Sequence, residues 1–322
     1  MSETVLLTGG AGFIGSHLAE EYLSRGYEVV VIDDLSTGRK SNLTGILDHP
    51  KFEFYDWSIL DENALERIFA AHKPTLVNHH AAQKSVPQSV HDPFTDNKLN
   101  VVGLLNLLKL AGQYGVRRFI AASSGGALAK EITHDGDLSV ETDPPLLVSP
   151  YAITKFSGEK YCEIYAQLHG FDYVGLRYAN VFGPRQVAEG DCGVIPIFVN
   201  NMQAGKDSTL MTYDDMPRGC TRDYIYVGDA VEFNMLASTW DSPISGVFNL
   251  SLEREFPIAD VFDALEDAFA SGTQLHRTGP RDGDVRRSVL SSEKAFSTFS
   301  WKAHTSLESG ITILRDWYLA QK

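Results

Sequence analysis

Positive charge is in short supply in this chain: 28 Lys and Arg face 42 Asp and Glu, a net −14 over 322 residues. Nucleic-acid binders need a basic face for the phosphate backbone, so no nucleic-acid partner is expected. Cysteine is scarce as well. Cys162, Cys192 and Cys220 cannot close a disulfide framework and show no paired spacing for zinc, which fits a reducing compartment. No apolar run approaches the roughly 18 residues needed to span a bilayer. The start, "MSETVLLTGG", has neither a basic leader nor a long apolar stretch, so no signal peptide is read and a cytoplasmic protein with no membrane partner is expected. Internal repeats and low-complexity tracts are absent too. With 43% hydrophobic and 22% charged residues, the chain has the composition of a globular protein with a substantial core.

What is present is a rhythm of strands and helices. "TVLLTG" (4–9), "YEVVVID" (27–33), "FEFYD" (52–56), "TLVNHHA" (75–81), "RFIAASS" (118–124) and "YVGLRYANVFG" (173–183) read as strands. Their continuous aliphatic residues suit strands buried on both faces. Helical patterns at 17–26, 61–72, 97–114 and 151–168 lie between them. The alternation predicts an α/β fold, a doubly wound parallel sheet of Rossmann type with right-handed crossovers. After residue 184 glycine and proline become frequent and helices shorten. This predicts a dinucleotide-binding domain over 1–183, rejoined by 222–245, and a smaller C-terminal α/β lobe over 184–221 and 246–322.

"LLTGGAGFIGSHL" closes the first strand and opens a helix. Gly10-x-Gly12-x-x-Gly15, widened by Gly9, has dinucleotide-turn spacing: side chains there would keep a pyrophosphate from the amides at the helix N-terminus. A lone motif of this kind is weak evidence, and a structural turn explains many. Here the context is complete, because Asp33 ends the next strand about 20 residues on, placed to accept from ribose hydroxyls. Its charge would repel a 2′-phosphate, so NAD is expected rather than NADP, with Arg39 and Lys40 read as a solvated loop. Asp56 ends the third strand, either as a contact for adenine or as a simple cap. His79 and His80 are neighbours on a strand and point to opposite faces, so no metal site is expected.

"SPYAITK" puts Tyr151 and Lys155 one helical turn apart. That spacing alone does not separate a proton-transfer pair from two residues sharing a helix face. Ser123 and Ser124 end the fifth strand, on the side where doubly wound sheets bind ligands. Tyrosine, with a reference pKa near 10, is a poor base at neutral pH. Lowering it by three units takes about 4 kcal/mol of anion stabilisation, which a lysine ammonium and a cationic nicotinamide could supply.

Together "TGGAGFIGSHL", "VIDDLSTG", "HHAAQKSV", "ASSGG", "SPYAITK", "LRYANVFGPRQ", "TRDYIYVGD" and "RDGDVRRS" resemble the extended short-chain dehydrogenase/reductase family. The resemblance is nearest to the nucleotide-sugar branch, the UDP-glucose 4-epimerases, and runs from residue 4 to about 296. It implies an NAD site made by Gly9, Gly12, Phe13, Ile14 and Gly15, by Asp33, Asp34, Ser36, Thr37 and Gly38, and by Asp56 and Trp57. Ala81, Ala82, Gln83, Lys84, Asn100 and Ser123 would complete it, with Tyr151 and Lys155. Tyr151 would be the base, Lys155 its partner and Ser124 the hydroxyl bridging Tyr151 to the sugar 4-OH. Lys84, Asn180, Arg185, Val194, Arg222, Arg281, Asp284 and Ser288 would bind the UDP-sugar, with Arg222 and Arg281 clamping the diphosphate and Asp284 the uridine ribose. A homodimer through a four-helix bundle of 97–114 and 151–168 is also implied.

By the family pattern Tyr151 takes the 4-OH proton while C4 gives hydride to NAD, and the 4-keto sugar turns over before hydride returns. Dehydratases of this branch carry carboxylates beside the strand-end hydroxyl. Ser124-Gly125 offers none, which favours epimerisation over elimination. Competing expectations are an epimerase of another nucleotide sugar and a non-catalytic NAD-binding regulator, a class that typically loses the Tyr/Lys pair. Two departures stand out. Leu128-Ala129-Lys130 replaces the usual Val/Ile-Tyr-Gly, and Ser288 occupies a gate position where a small residue would admit N-acetylated sugars.

Overall fold

Aliphatic runs form the strands, and segments with apolar residues three and four apart form the helices between them. A computed structural model describes residues 3–188, 193–280 and 285–321. The first elements are β1 (Thr4–Thr8), α1 (Phe13–Ser24), β2 (Glu28–Ile32), β3 (Phe52–Tyr55), α2 (Glu62–His72) and β4 (Leu76–His79). Next come α3 (Val86–His91), α4 (Pro93–Asn97) and α5 (Gly103–Tyr114), with one wide π-turn over Lys98–Val102 between the last two. β5 (Arg118–Ser124), α6 (Gly125–Leu128), α7 (Pro150–His169), β6 (Asp172–Tyr178) and β7 (Asn180–Phe182) follow. The remainder is α8 (Val194–Gln203), β8 (Ser208–Met211), β9 (Thr221–Arg222), β10 (Tyr224–Tyr226), α9 (Val227–Thr239) and β11 (Ser245–Leu250). β12 (Phe256–Pro257), α10 (Ile258–Phe269), β13 (Leu275–Thr278), α11 (Glu293–Phe299) and α12 (Leu307–Leu319) end the chain.

Seven strands make one sheet in the order β11-β6-β5-β4-β1-β2-β3, every pair parallel. This is the doubly wound Rossmann-type arrangement. The chain steps from β1 outward to β3, then back to β4 on the other side of β1. That reversal opens a crevice at the carboxyl ends of β1 and β4. Every residue of β1 is buried. One face of the sheet packs a core containing Leu7, Tyr22, Phe233, Phe248 and Trp301, and the other packs Leu6, Leu107, Phe119 and Cys162. A third core, with Phe198, Phe262, Leu265 and Leu314, builds the C-terminal lobe.

The returning segment reaches further than the sequence suggested. β11 pairs with β6 from Ser245↔Tyr173 to Leu250↔Tyr178 and forms the sheet's edge. The expected boundary at 245 therefore coincides with the first residue of the seventh strand. Phe299 and Trp301, also assigned to the lobe, pack against Phe233 of α9 and so belong to the sheet's core.

Candidate active site

The turn between β1 and α1 is shaped by glycine. Gly9 has φ +70°, and a Cβ there would lie 2.7 Å from the Ala81 amide nitrogen. A Cβ on Gly15 would lie 2.1 Å from the Gly9 carbonyl oxygen, and one on Gly12 would lie 3.1 Å from it. With these positions bare, the β1–α1 turn closes tightly and α1 starts at Phe13 with no side-chain cap. Its first amide groups are left for a ligand, and the helix dipole favours an anion there.

Asp33 sits just beyond β2, 8% exposed. Its Oδ2 accepts from the Ala11 amide at 2.9 Å and its Oδ1 from the Leu35 amide at 2.9 Å. Burial pushes its carboxyl above the usual range, partly offset by those two amides. Each oxygen keeps a lone pair for a ribose hydroxyl. Gly38 takes part indirectly: a Cβ there would lie 2.6 Å from Asp33 Oδ1. Asp34 Oδ1 binds both the Ser36 amide and its hydroxyl, which fixes the loop. A cradle of bare glycines, an open helix start and a fixed carboxylate fit a pyrophosphate and an adenosine ribose.

Helix α7 begins where "SPY" dictates. Ser149 caps it by accepting from the Ala152 amide at 3.1 Å, and Pro150 takes the first turn, where no amide is needed. Tyr151 is consequently held at the helix start, 9% exposed, its amide bonded to Ser89 Oγ at 3.1 Å. Lys155 Nζ lies 5.8 Å from the Tyr151 ring centre and donates to the Ala122 carbonyl of β5 at 3.1 Å. Burial lowers its pKa to about 8 against the raising effect of nearby carboxylates, Asp96 first among them. Lys155 is thus ammonium at neutral pH and loses its proton as pH rises through about 8. Ser124 caps α6, accepting from the Ala127 amide at 3.3 Å, so its own proton is available.

One cleft of about 980 Å³ joins these groups. Gly9, Gly12, Phe13, Ile14, Gly15, Asp33, Asp34, Ser36, Thr37, Trp57, Ala81, Ala82, Lys84, Ser123, Ser124, Tyr151 and Lys155 line it. So do Asn180, Arg185, Val194, Arg222 and Ser288 on the lobe side. Gly38, Asp56, Gln83 and Asn100 are not among its lining residues, and Asp56 is exposed. Asn100 grips the Gln83 backbone with two bonds, accepting from its amide at 2.9 Å and donating to its carbonyl at 3.0 Å. Its role is to hold the 81–84 loop rather than to line the cleft. Ser123 Oγ donates to buried Glu159 at 2.6 Å, so its hydroxyl is already engaged. Arg281 and Asp284 fall outside the described residues.

On the lobe side, α8 opens at Val194 after Gly193, with no side-chain cap, a second helix N-terminus on the cleft. Asn180 donates to the Asp223 carbonyl at 2.9 Å, and Arg222 Nη1 to the Thr221 carbonyl at 2.8 Å. Arg185 pairs with Glu20 at 2.6 Å and keeps a buried Nη1 with no partner among the described residues. Asp223 is buried between them, its oxygens on the Leu252 and Leu290 amides. Burial pushes its carboxyl up to about 7.

Some lining residues escaped the sequence reading. Arg39, read as a solvated loop, lines the cleft, as do Asn42, Cys220, His80 and Tyr178. The Arg39 amide and the Asn42 side chain both bond the Ala11 carbonyl, a tie across the turn that no local pattern announces. The two histidines do turn to different partners, His79 to Thr8 at 2.7 Å and His80 to Tyr178 at 3.1 Å. Burial lowers both to about 3, so both are neutral. Asn234 Nδ2 donates to the Ala230 carbonyl and to the Tyr178 hydroxyl, so the Tyr178 hydroxyl in turn donates its hydrogen bond to His80 Nε2. His80 Nδ1 then carries the ring proton, and it has no partner among the described residues.

Residues 5–251 match the model of the NAD dependent epimerase/dehydratase family. A UDP-glucose 4-epimerase from Thermotoga maritima, solved with UDP-glucose, superposes with a TM-score of 0.91 at 39% identity, covering 99% of both chains. A UDP-glucose 4-epimerase from Thermus thermophilus, in complex with NAD, gives 0.89 at 39%, covering 99% of this chain and 100% of the other. A UDP-N-acetylglucosamine 4-epimerase from Methanobrevibacter ruminantium, in complex with UDP-N-acetylmuramic acid, gives 0.89 at 30% over 100% of both chains.

Proposed function

Because the chain belongs to the NAD dependent epimerase/dehydratase family, we propose that it inverts C4 of a UDP-hexose through a 4-keto sugar, with UDP-glucose, UDP-galactose and their N-acetylated forms as substrates. The observation that carries this reading is the single cleft shared by the glycine cradle, Tyr151, Lys155 and Ser124. NAD, when bound, accepts hydride from the sugar and gives it back, so no net redox change occurs. Asp33 and the start of α1 hold its adenosine diphosphate end. Tyr151 takes the 4-OH proton, with the Lys155 ammonium stabilising the phenolate and Ser124 orienting the hydroxyl. The lobe holds the UDP, with Arg222, Arg185, Asn180 and the start of α8 at its diphosphate.

Substrate range follows from the small side chains near the sugar. Ser288 is 3% exposed and borders the cleft, and a Cβ on Gly126 would meet open space. Room of this kind suits an N-acetyl group. We also place the protein in the cytoplasm, with Cys162 and Cys220 as free thiols. A homodimer through α5 and α7 accounts for the exposed Val102, Ile153, Ile164 and Leu168. No helix among the described residues is long and apolar enough to cross a membrane.

The test is a nucleotide-sugar panel scored for C4 inversion. UDP-galactose and UDP-N-acetylgalactosamine should both be converted, and Tyr151→Phe should cut turnover of both by about 10³-fold or more while NAD stays bound. Undiminished turnover by the Phe variant would remove Tyr151 from the chemistry.

A further inference from the structure

We propose that Leu290 is a positioning residue for Ser124: its side chain fills the space beside Gly125, and its clamped backbone lets the lobe set where the strand-end hydroxyl stands. The inference rests on reading Ser124 as the hydroxyl that orients the sugar 4-OH. Ser124 ends β5, and Gly125 and Gly126 follow it at the start of α6. A Cβ on Gly126 would meet open space, whereas one on Gly125 has no room. It would lie 2.2 Å from Leu290 Cδ1, 3.0 Å from the Tyr178 carbonyl oxygen and 3.1 Å from that of Arg177. Leu290 therefore packs directly on the bare Cα next to Ser124. Both Leu290 and Gly125 are buried, so the contact belongs to the core.

A leucine can hold its neighbour in place only if it is itself held. The Leu290 amide donates to Asp223 Oδ2 at 3.1 Å, and its carbonyl accepts from the Ser251 hydroxyl at 2.9 Å. On either side, the Val289 carbonyl accepts from the Ser139 amide at 3.0 Å and the Ser291 amide donates to the Ser139 carbonyl at 2.9 Å. Asp223 and Ser139 are both buried, so these bonds face no competing water. Ser139 lies between α6 and α7, and its Oγ accepts from the Lys130 amide at 3.2 Å. Both ends of α6 thus answer to one segment of the lobe. Gly125 at its start touches Leu290, and Lys130 just past its end hangs on Ser139.

The attachment falls on the departure from Val/Ile-Tyr-Gly. Within Leu128-Ala129-Lys130, Ala129 is small and buried, and Lys130 gives its amide to Ser139. The same lobe segment carries Ser288, two residues before Leu290, on the cleft. It therefore borders the cleft at Ser288 and backs the Ser124 strand end at Leu290. Gly125 and Leu290 are far apart in the sequence, and neither local pattern announces the pairing.

The experiment uses the full chain with its NAD and three variants: Leu290→Ala, Ser124→Ala and the two together. For each, kcat for UDP-galactose is measured well below its melting temperature, beside the Kd of UDP, which has no sugar to meet Ser124. Leu290→Ala should lower kcat by about tenfold, as expected for a displaced reacting contact, and leave the UDP Kd unchanged. Ser124→Ala should lower kcat by about 10²-fold. Adding Leu290→Ala to it should cost nothing further, because the hydroxyl that Leu290 holds is gone. Should Leu290→Ala not fold, Leu290→Val also removes the Cδ1 that touches Gly125 and leaves a smaller void. A kcat unchanged by the Leu290 variants overturns the proposal, and so does an equal loss with and without the Ser124 hydroxyl. Undiminished kcat in Ser124→Ala overturns instead the reading of Ser124 on which the proposal stands.

Discussion

At Gly15 a Cβ would lie 2.1 Å from the Gly9 carbonyl oxygen and 2.8 Å from the Gly10 Cα. Both are backbone, so Gly15→Ala can be relieved only by moving α1 away from the turn. Overpacking of this kind costs about 1–3 kcal/mol, and here it also displaces the amides proposed to receive the pyrophosphate. Gly26 makes the contrast. Its φ is +85°, but nothing lies within 4 Å of a Cβ there. Gly26→Ala should therefore cost only the roughly 1–2 kcal/mol of left-handed strain and leave NAD binding intact. Thermal unfolding and the amount of NAD retained after gel filtration should separate the two: both variants lose stability, and only Gly15→Ala loses cofactor. The glycine motif was legible in the sequence because each residue in it has a steric reason to be bare. Gly38 was legible only by resemblance, since what a side chain would strike there is the carboxylate of Asp33, a contact made by the fold.

Among the elements, α7 was the easiest to read and β11 the hardest. The Ser149-Pro150 start and the Gly170 stop bracket α7 in the sequence itself. β11 reads "SGVFNL", with two small residues first and an asparagine near its end, and its pairing with β6 closes only after the chain has been out through the lobe. Local pattern carries no record of such a return. The clasp beneath the site was hidden for the same reason: Glu159 on α7 bonds Arg177 on β6 and Ser123 on β5, all three buried. That clasp fixes the strand end whose next residue is Ser124. Glu159→Gln should destabilise the protein by about 3–5 kcal/mol, because the Arg177 charge is left buried and unpaired. Glu159→Met with Arg177→Met should recover much of that loss. Lys160–Glu163 on the same helix is exposed at 49% and 31%, and Lys160→Met should change stability by under about 1 kcal/mol. Urea denaturation of the three variants measures the difference. Equal losses in Glu159→Gln and Lys160→Met would show that the clasp contributes nothing beyond a surface pair.

Across the whole molecule, apolar exposure is uneven. Ile153, Ile164 and Leu168 are 49%, 51% and 71% exposed along α7, and Tyr161 between them is 38% exposed. Their spacing puts them on one helix face, with Val102 of the neighbouring π-turn 42% exposed beside it. A run of this kind on a protein of net charge −14 is stable in water when another apolar surface covers it, and a two-fold pairing brings the same face from a second copy. Buried positions of the same helix include Tyr151, so the proposed dimer face and the proposed base share one helix. Placing carboxylates at the exposed positions, Ile164→Asp with Leu168→Asp, brings like charges together across the two-fold axis and should convert a species of twice 35.5 kDa to a monomer. Sedimentation velocity reads that change directly. Helix α7 would also lose the partner that holds its exposed side, so kcat should fall several-fold while NAD remains bound to the untouched β1–α1 turn. A variant that still sediments as a dimer would move the interface elsewhere. A monomer with full kcat would show instead that α7 needs only its own sheet to keep Tyr151 in place.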